Sequence, residues 1–138
     1  MRNIVKYLFL FVVGGLVYMA IEMLWRGYTH WTMAILGGLC FILCGCVNEF
    51  LDWDTPLWIQ MFICSALITI CEFVCGYVVN IKLCLAIWDY SNMPFNICGQ
   101  ICLQYMIAWY YLSFAAIVLD DYLRYFFFGE EKPHYSLF

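Results

Sequence analysis

Long apolar runs alternate with short polar segments along the chain, and four runs are long enough to cross a lipid bilayer. They cover residues 5–24, 31–50, 57–79 and 97–119. About 20 mainly apolar residues span the hydrocarbon core as a helix. Lipid cannot satisfy free backbone groups, and four such segments cannot close a barrel. The pattern therefore predicts an all-α fold, an integral membrane four-helix bundle.

The connections are short, and residues 80–96 form the longest of them. We expect a four-span transmembrane domain over residues 1–125 and a short cytoplasmic tail over 126–138. Four spans place both termini on one side of the membrane. Basic residues favour the cytoplasmic side, and four of the six would accompany the termini: Arg2, Lys6, Arg124 and Lys132. We therefore expect a multi-pass protein of the plasma membrane with cytoplasmic termini.

Short sequence echoes suggest an internal repeat. The residues after Glu22 resemble those after Glu72, and the segment at Gly37 resembles that at Gly99. A repeat of two spans keeps its orientation, so the bundle would consist of two parallel-repeat helical hairpins. Chance similarity is the alternative.

Composition narrows the function classes. Apolar types make up 67% of the chain and charged residues 12%, against about half and a quarter in soluble domains. The net charge is −4 without a basic run, which argues against nucleic acid as a partner. No P-loop, G-x-S-x-G or HExxH motif is present, so we expect no enzyme activity and no cofactor.

Metal binding is a minor alternative. Three cysteine pairs have helical i,i+4 spacing, and thiolates select soft metals. Cysteine is also a small hydrophobe, and membrane helix interfaces favour small residues, so packing is the preferred interpretation. His30 is a metal-ligand candidate, but no His/Cys spacing resembles a closed site. We expect no metal. The pairs are Cys40/Cys44, Cys71/Cys75 and Cys98/Cys102.

The helix directions predict one polar site. Helices 1 and 3 run outward and helix 4 runs inward, so polar residues at their outer ends meet the two outer loops. The inner halves are mostly apolar and predict a hydrophobic plug, with a solvated acidic rim that includes Asp120 and Asp121. The candidate substrate or ion site comprises Glu22, Arg26, His30, Glu72, Asn80, Trp88, Asp89, Asn96 and Gln100.

Two acids dominate this candidate site. Glu22 and Arg26 have the favourable i,i+4 order for an ion pair. Glu72 has no basic neighbour on its own helix, so it borrows Arg26, stays protonated because of desolvation or faces water. Intramembrane acids commonly mark functional sites. A structural clamp between helices is the alternative.

From about residue 14 to residue 121, the chain resembles the ABC-transporter type IV family of small bacterial membrane proteins. The resemblance implies a multi-span membrane protein with a transport role. It rests on an ordered set of residues that includes Glu22, Arg26-Gly27, His30-Trp31, Gly37-Gly38, Asn48-Glu49, Glu72, Gly76, Asn80, Trp88-Asp89-Tyr90-Ser91, Pro94, Asn96, Gly99-Gln100-Ile101, Trp109 and Asp120.

Two functions remain open. The first is a transporter or permease subunit with a polar Glu/Arg/Asp site in the outer half of the bundle. Four helices barely enclose a pathway, so a homo-oligomer or a partner membrane protein would be needed to complete it. A separate ATPase subunit would be a further partner. The second is a non-transport module in the lipid bilayer that binds a lipid headgroup or scaffolds a partner protein.

Overall fold

The computed structural model describes all 138 residues. It contains α1 (Arg2–Arg26), α2 (Trp31–Phe50), α3 (Leu57–Gly76), which continues as a π-helix (Tyr77–Lys82), and α4 (Leu103–Phe128), with no strands. Each of the four helices is long and apolar enough to cross a membrane. The predicted all-α membrane fold is confirmed.

Successive helices run in opposite directions, so the bundle has two ends. The loop end carries the α1–α2 connection and the segment 83–102, which we call the long loop. The terminal end carries both chain termini and the α2–α3 connection. Helix α1 packs mainly on α2, and α3 packs mainly on α4, whereas α1 and α4 meet at only a few residues. A cleft therefore separates α1 from α4.

Glycines allow α1 and α2 to approach closely. A Cβ atom on Gly15 would lie 2.6 Å from the carbonyl oxygen of Ala34, and one on Gly38 would lie 2.6 Å from that of Phe11. Neither position leaves room for a side chain. Small residues serve this purpose in membrane helix pairs, because lipid gives no hydrophobic drive between helices and association depends on close packing.

Helix α4 does not have the predicted boundaries. Residues 97–102 were expected to be helical, but they belong to the long loop, because Cys98 and Gly99 adopt left-handed backbone conformations (φ 54° and 70°) and an αR helix cannot continue through them. At the other end α4 passes residue 119 and stops at Phe128, where Gly129 caps it in the left-handed conformation. An i,i+4 ion pair between Asp120 and Arg124 supports the additional turns.

Candidate functional site

A cavity of 290 Å³ lies at the loop end, between α1 and α4. We call it the loop-end cavity. Three charged residues line it: Glu22 and Arg26 from α1 and Glu72 from α3. Six aromatic residues form most of its remaining wall: Tyr18, Trp25, Trp88, Tyr90, Tyr105 and Trp109. The volume lies at the lower edge of the range for small-molecule sites, about 300–1,000 Å³.

Glu72 is held by two neutral hydrogen-bond donors. Its Oε1 accepts from the Tyr90 hydroxyl and its Oε2 from the Trp109 indole Nε1, each at 3.0 Å. The residue is only 3% exposed, and no cationic side chain lies within ion-pairing distance of it. Of the three states predicted for Glu72, the structure excludes the direct pairing with Arg26.

Arg26 is committed to other partners. Its guanidinium lies 2.5 Å from Glu22 Oε2, donates to the Ile87 carbonyl at 3.1 Å and sits 4.5 Å from the Tyr28 ring centroid. The i,i+4 spacing on α1 places acid and base on one face, as the sequence predicts. Because Glu22 and Arg26 form a pair, Glu72 is the acid of the cavity without a charged counterpart.

The aromatic walls are arranged as pairs. Tyr90 from the long loop stacks on Tyr105 of α4, with ring centroids 4.7 Å apart. Tyr18 of α1 stacks on Trp109 of α4 at 5.9 Å, which bridges the cleft at one point. Burial and the neighbouring Glu72 raise the pKa of Tyr90 well above its usual value, so its hydroxyl stays protonated and donates.

Asn80 and Gln100 stand behind the cavity and fix the long loop. Asn80 Nδ2 donates to Gln100 Oε1 at 2.8 Å, while its Oδ1 accepts from the Ile87 amide at 2.7 Å. The Trp88 indole donates to the Gln100 carbonyl at 3.0 Å. Gly76 makes room for this arrangement, since a Cβ there would lie 2.5 Å from Gln100 Oε1. These amides position Trp88 rather than line the cavity.

Three predicted site residues lie elsewhere. Asp89 is exposed, and a hydrogen bond from the Ser91 amide lowers the pKa of its carboxyl. Asn96 bonds within the long loop, where its amide donates to the Met93 carbonyl at 2.8 Å. His30 caps α2 by accepting from the Thr32 amide. The structure therefore brings together Glu22, Arg26, Glu72 and Trp88, but it leaves these three outside the cavity.

An apolar groove continues from the loop-end cavity along the same cleft. It has a volume of 120 Å³, and Tyr18, Ile21, Trp109 and Leu112 line both spaces. We call it the α1–α4 groove. Twelve of its 14 lining residues are hydrophobic, and they include Val17 and Leu119, which are 40% and 36% exposed at the bundle surface. The cavity therefore adjoins an apolar space that opens sideways, and the Tyr18–Trp109 stack lies where the two meet.

The terminal end holds a second polar cluster, which contradicts the solvated acidic rim predicted there. Asp120, Asp121 and Arg124 are 0%, 5% and 3% exposed. Arg124 forms ion pairs with Asp120 and Glu49. The remaining partners continue the network: Lys6 binds Glu130 at 2.7 Å, and Asn48 and Tyr135 both donate to Asp121. Buried ions need such partners, and the i,i+4 spacing of Asp120 and Arg124 was the sequence signal for them.

The aromatic walls are the part of the cavity that sequence reasoning missed. Four of these wall residues received no site role in the sequence analysis: Tyr18, Trp25, Tyr105 and Trp109. A helical signal was present, because Tyr105 and Trp109 are spaced i,i+4, as are Tyr18 and Glu22.

All nine cysteines are free.

The four long apolar helices define a multi-span helical membrane protein with a cavity at its loop end. Residues 8–127 match the model of the family described as "Putative ABC-transporter type IV". The chain belongs to this family. No curated protein and no solved structure matches the chain.

Proposed function

We propose that the chain is the membrane-spanning subunit of a transporter and that it recognises its ligand in the loop-end cavity. One observation carries the proposal: Glu72 is buried, has no cationic partner and lines a cavity in a bundle that belongs to an ABC-transporter family. Acids at this depth are costly to retain, and they commonly mark substrate paths.

The subunit needs partners for transport. The chain has no nucleotide-binding motif, so ATP would be hydrolysed by a separate ATPase subunit. The cleft between α1 and α4 leaves the cavity open on one side, and a second copy or a partner membrane protein would complete a closed path. In this proposal the chain lies in the plasma membrane with cytoplasmic termini, and it binds its ligand without catalysing a reaction.

Inverted membrane vesicles from cells that express the chain test this role. Vesicles are incubated with a cell extract of small molecules, with and without ATP, and their contents are compared by mass spectrometry. We expect at least one solute whose accumulation or depletion requires both ATP and the chain, and whose movement falls at least tenfold in Glu72→Gln. The exposed Glu131, which bonds only to His134, supplies the matched control Glu131→Gln.

A second candidate is a module that binds a lipid headgroup or scaffolds a partner protein without transport. The sideways opening of the α1–α4 groove favours it, since a lipid could occupy the cleft from the bilayer. If no solute moves in response to ATP while the purified chain retains a stoichiometric lipid, the second candidate replaces the first.

A further inference from the structure

We propose that the ligand of the loop-end cavity is an amphiphile with an organic ammonium head and a single apolar chain. The head would occupy the cavity beside Glu72, and the chain would follow the α1–α4 groove. The inference rests on the proposed function, because it names the ligand class of the same site.

The charge of the cavity selects a cation. Two carboxylates and one guanidinium line it, which leaves one negative charge when all three are ionised. The guanidinium of Arg26 is already paired with Glu22 and also donates to the Ile87 carbonyl, so the Glu22–Arg26 pair adds no net charge to the cavity. Glu72 offers a carboxylate whose only partners are two neutral donors.

The walls select an organic cation over a metal ion. Aromatic faces attract cations through their quadrupoles, and aromatic cages are the established way to bind quaternary ammonium groups. Six tyrosine and tryptophan side chains surround this cavity. No group of three or more His, Cys, Asp or Glu side chains is close enough to hold a metal ion. A cavity of 290 Å³ also accommodates an ammonium group with alkyl substituents.

The α1–α4 groove indicates that the ligand also carries an apolar chain. It shares Tyr18, Ile21, Trp109 and Leu112 with the cavity, so the two spaces adjoin, and a chain that extends from the cavity would enter the groove past the Tyr18–Trp109 stack. Polar atoms contribute almost nothing to the groove surface, and its exposed rim lies on the part of the bundle that faces lipid. A polar tail would lose its hydration there without gaining hydrogen bonds.

The preference for an ammonium head is tested by isothermal titration calorimetry. The full chain is titrated in lipid nanodiscs, and the signal of empty nanodiscs is subtracted. Choline is compared with 3,3-dimethylbutan-1-ol, which has the same shape without the charge. We expect the alcohol to bind at least tenfold more weakly. Glu72→Gln should weaken choline binding at least tenfold, and Trp25→Leu, which removes an exposed wall residue, should weaken it at least threefold if Glu72→Gln fails to fold.

The tail is tested with tetramethylammonium, butyltrimethylammonium and hexyltrimethylammonium. Each methylene buried in the groove should tighten binding about two- to fourfold. Ala115→Phe fills the groove from an exposed α4 position, so it should abolish this chain-length gain and leave tetramethylammonium binding intact. Ala20→Phe, an exposed position outside both spaces, is the matched control and should change neither.

The outcomes separate this inference from the proposed function. If the neutral alcohol binds as tightly as choline, the cation class is wrong while the cavity remains a ligand site. If chain length has no effect, the amphiphile is wrong. If no compound binds, the whole inference fails, and the vesicle experiment still decides the transport role. The source is tested at constant surface charge, by doping nanodiscs with a single-chain quaternary ammonium amphiphile or with an equal charge of a two-chain cationic lipid. Weaker hexyltrimethylammonium binding only with the single-chain amphiphile identifies the bilayer as the ligand source, whereas equal binding in both identifies a soluble source.

Discussion

The indole Nε1 of Trp109 donates a 3.0 Å hydrogen bond to Glu72 Oε2 and so joins α4 to α3 at the loop-end cavity. The Tyr90 hydroxyl bonds the other carboxylate oxygen. The acid is thus held by one residue from a membrane helix and one from the long loop. This arrangement links the integrity of the cavity to the stability of the bundle.

Trp109→Phe should destabilise the fold. The substitution keeps most of the apolar contact but leaves Glu72 Oε2 without its donor in a buried position. A buried group deprived of its partner costs about 1–3 kcal/mol. Thermal unfolding in a membrane mimetic measures the effect. Trp58→Phe, at a position that is 55% exposed and makes no side-chain hydrogen bond, is the control. An equal effect of both substitutions would contradict the assigned role.

Glu72→Gln should leave the free energy of unfolding nearly unchanged, whereas Glu72→Leu should reduce it. The amide oxygen still accepts from Trp109, and the Tyr90 hydroxyl can accept from the amide nitrogen, because a hydroxyl both donates and accepts. Leucine provides neither group and leaves two buried donors unsatisfied, at about 1–3 kcal/mol each. Parallel unfolding curves of the two variants make the comparison. Equal losses would show that hydrogen bonding to Glu72 is not what stabilises the site.

Arg124→Met should be strongly destabilising. It leaves Asp120, which is 0% exposed, without its ion-pair partner, and breaking a buried pair costs about 3–5 kcal/mol. Adding Asp120→Asn removes the uncompensated charge and should recover much of the loss. The unfolding free energies of the two single variants and the double variant form a cycle that isolates the pair.

Lys82→Met, at an exposed residue without an ion-pair partner, is the control for Arg124→Met. The double variant Arg124→Met/Asp120→Asn could instead lose as much free energy of unfolding as the two single variants together. That result would mean that Arg124 stabilises the terminal end through other contacts.

The native cysteines of the long loop report the orientation in the membrane. Cys84 and Cys98 are exposed at the loop end, opposite the termini. With cytoplasmic termini, a membrane-impermeant maleimide should label intact cells, and the double variant Cys84→Ser/Cys98→Ser should lose this signal. Labelling that appears only after permeabilisation would invert the orientation.

The spans were predictable because hydropathy and length determine them. Helix α2 begins and ends where the apolar run does, at Trp31 and Phe50. The meeting of Glu22, Arg26 and Glu72 at one end also follows from helix direction alone. The start of α4 was predicted too early. Apolar residues continue through the left-handed turn at Cys98, so hydropathy does not reveal this turn.

Side-chain pairing was the part that hydropathy could not predict. Hydropathy treats tyrosine and tryptophan as generic interfacial residues, so the aromatic walls were not recognised. The burial of Asp120 depends on Glu49 and Arg124 from two different helices meeting at one depth. The rotation of each helix about its own axis decides which side chains meet. The periodicity of apolar residues would indicate this rotation, but it is weak when lipid surrounds the bundle.

The cleft between α1 and α4 changes which concentration determines how much of the proposed ligand is bound. A molecule that dissolves in the bilayer reaches this opening by lateral diffusion, in two dimensions, without returning to water. Occupancy then follows its mole fraction among the lipids rather than its aqueous concentration. The same protein would thus have different apparent dissociation constants in membranes of different lipid-to-protein ratio, although none of its contacts had changed.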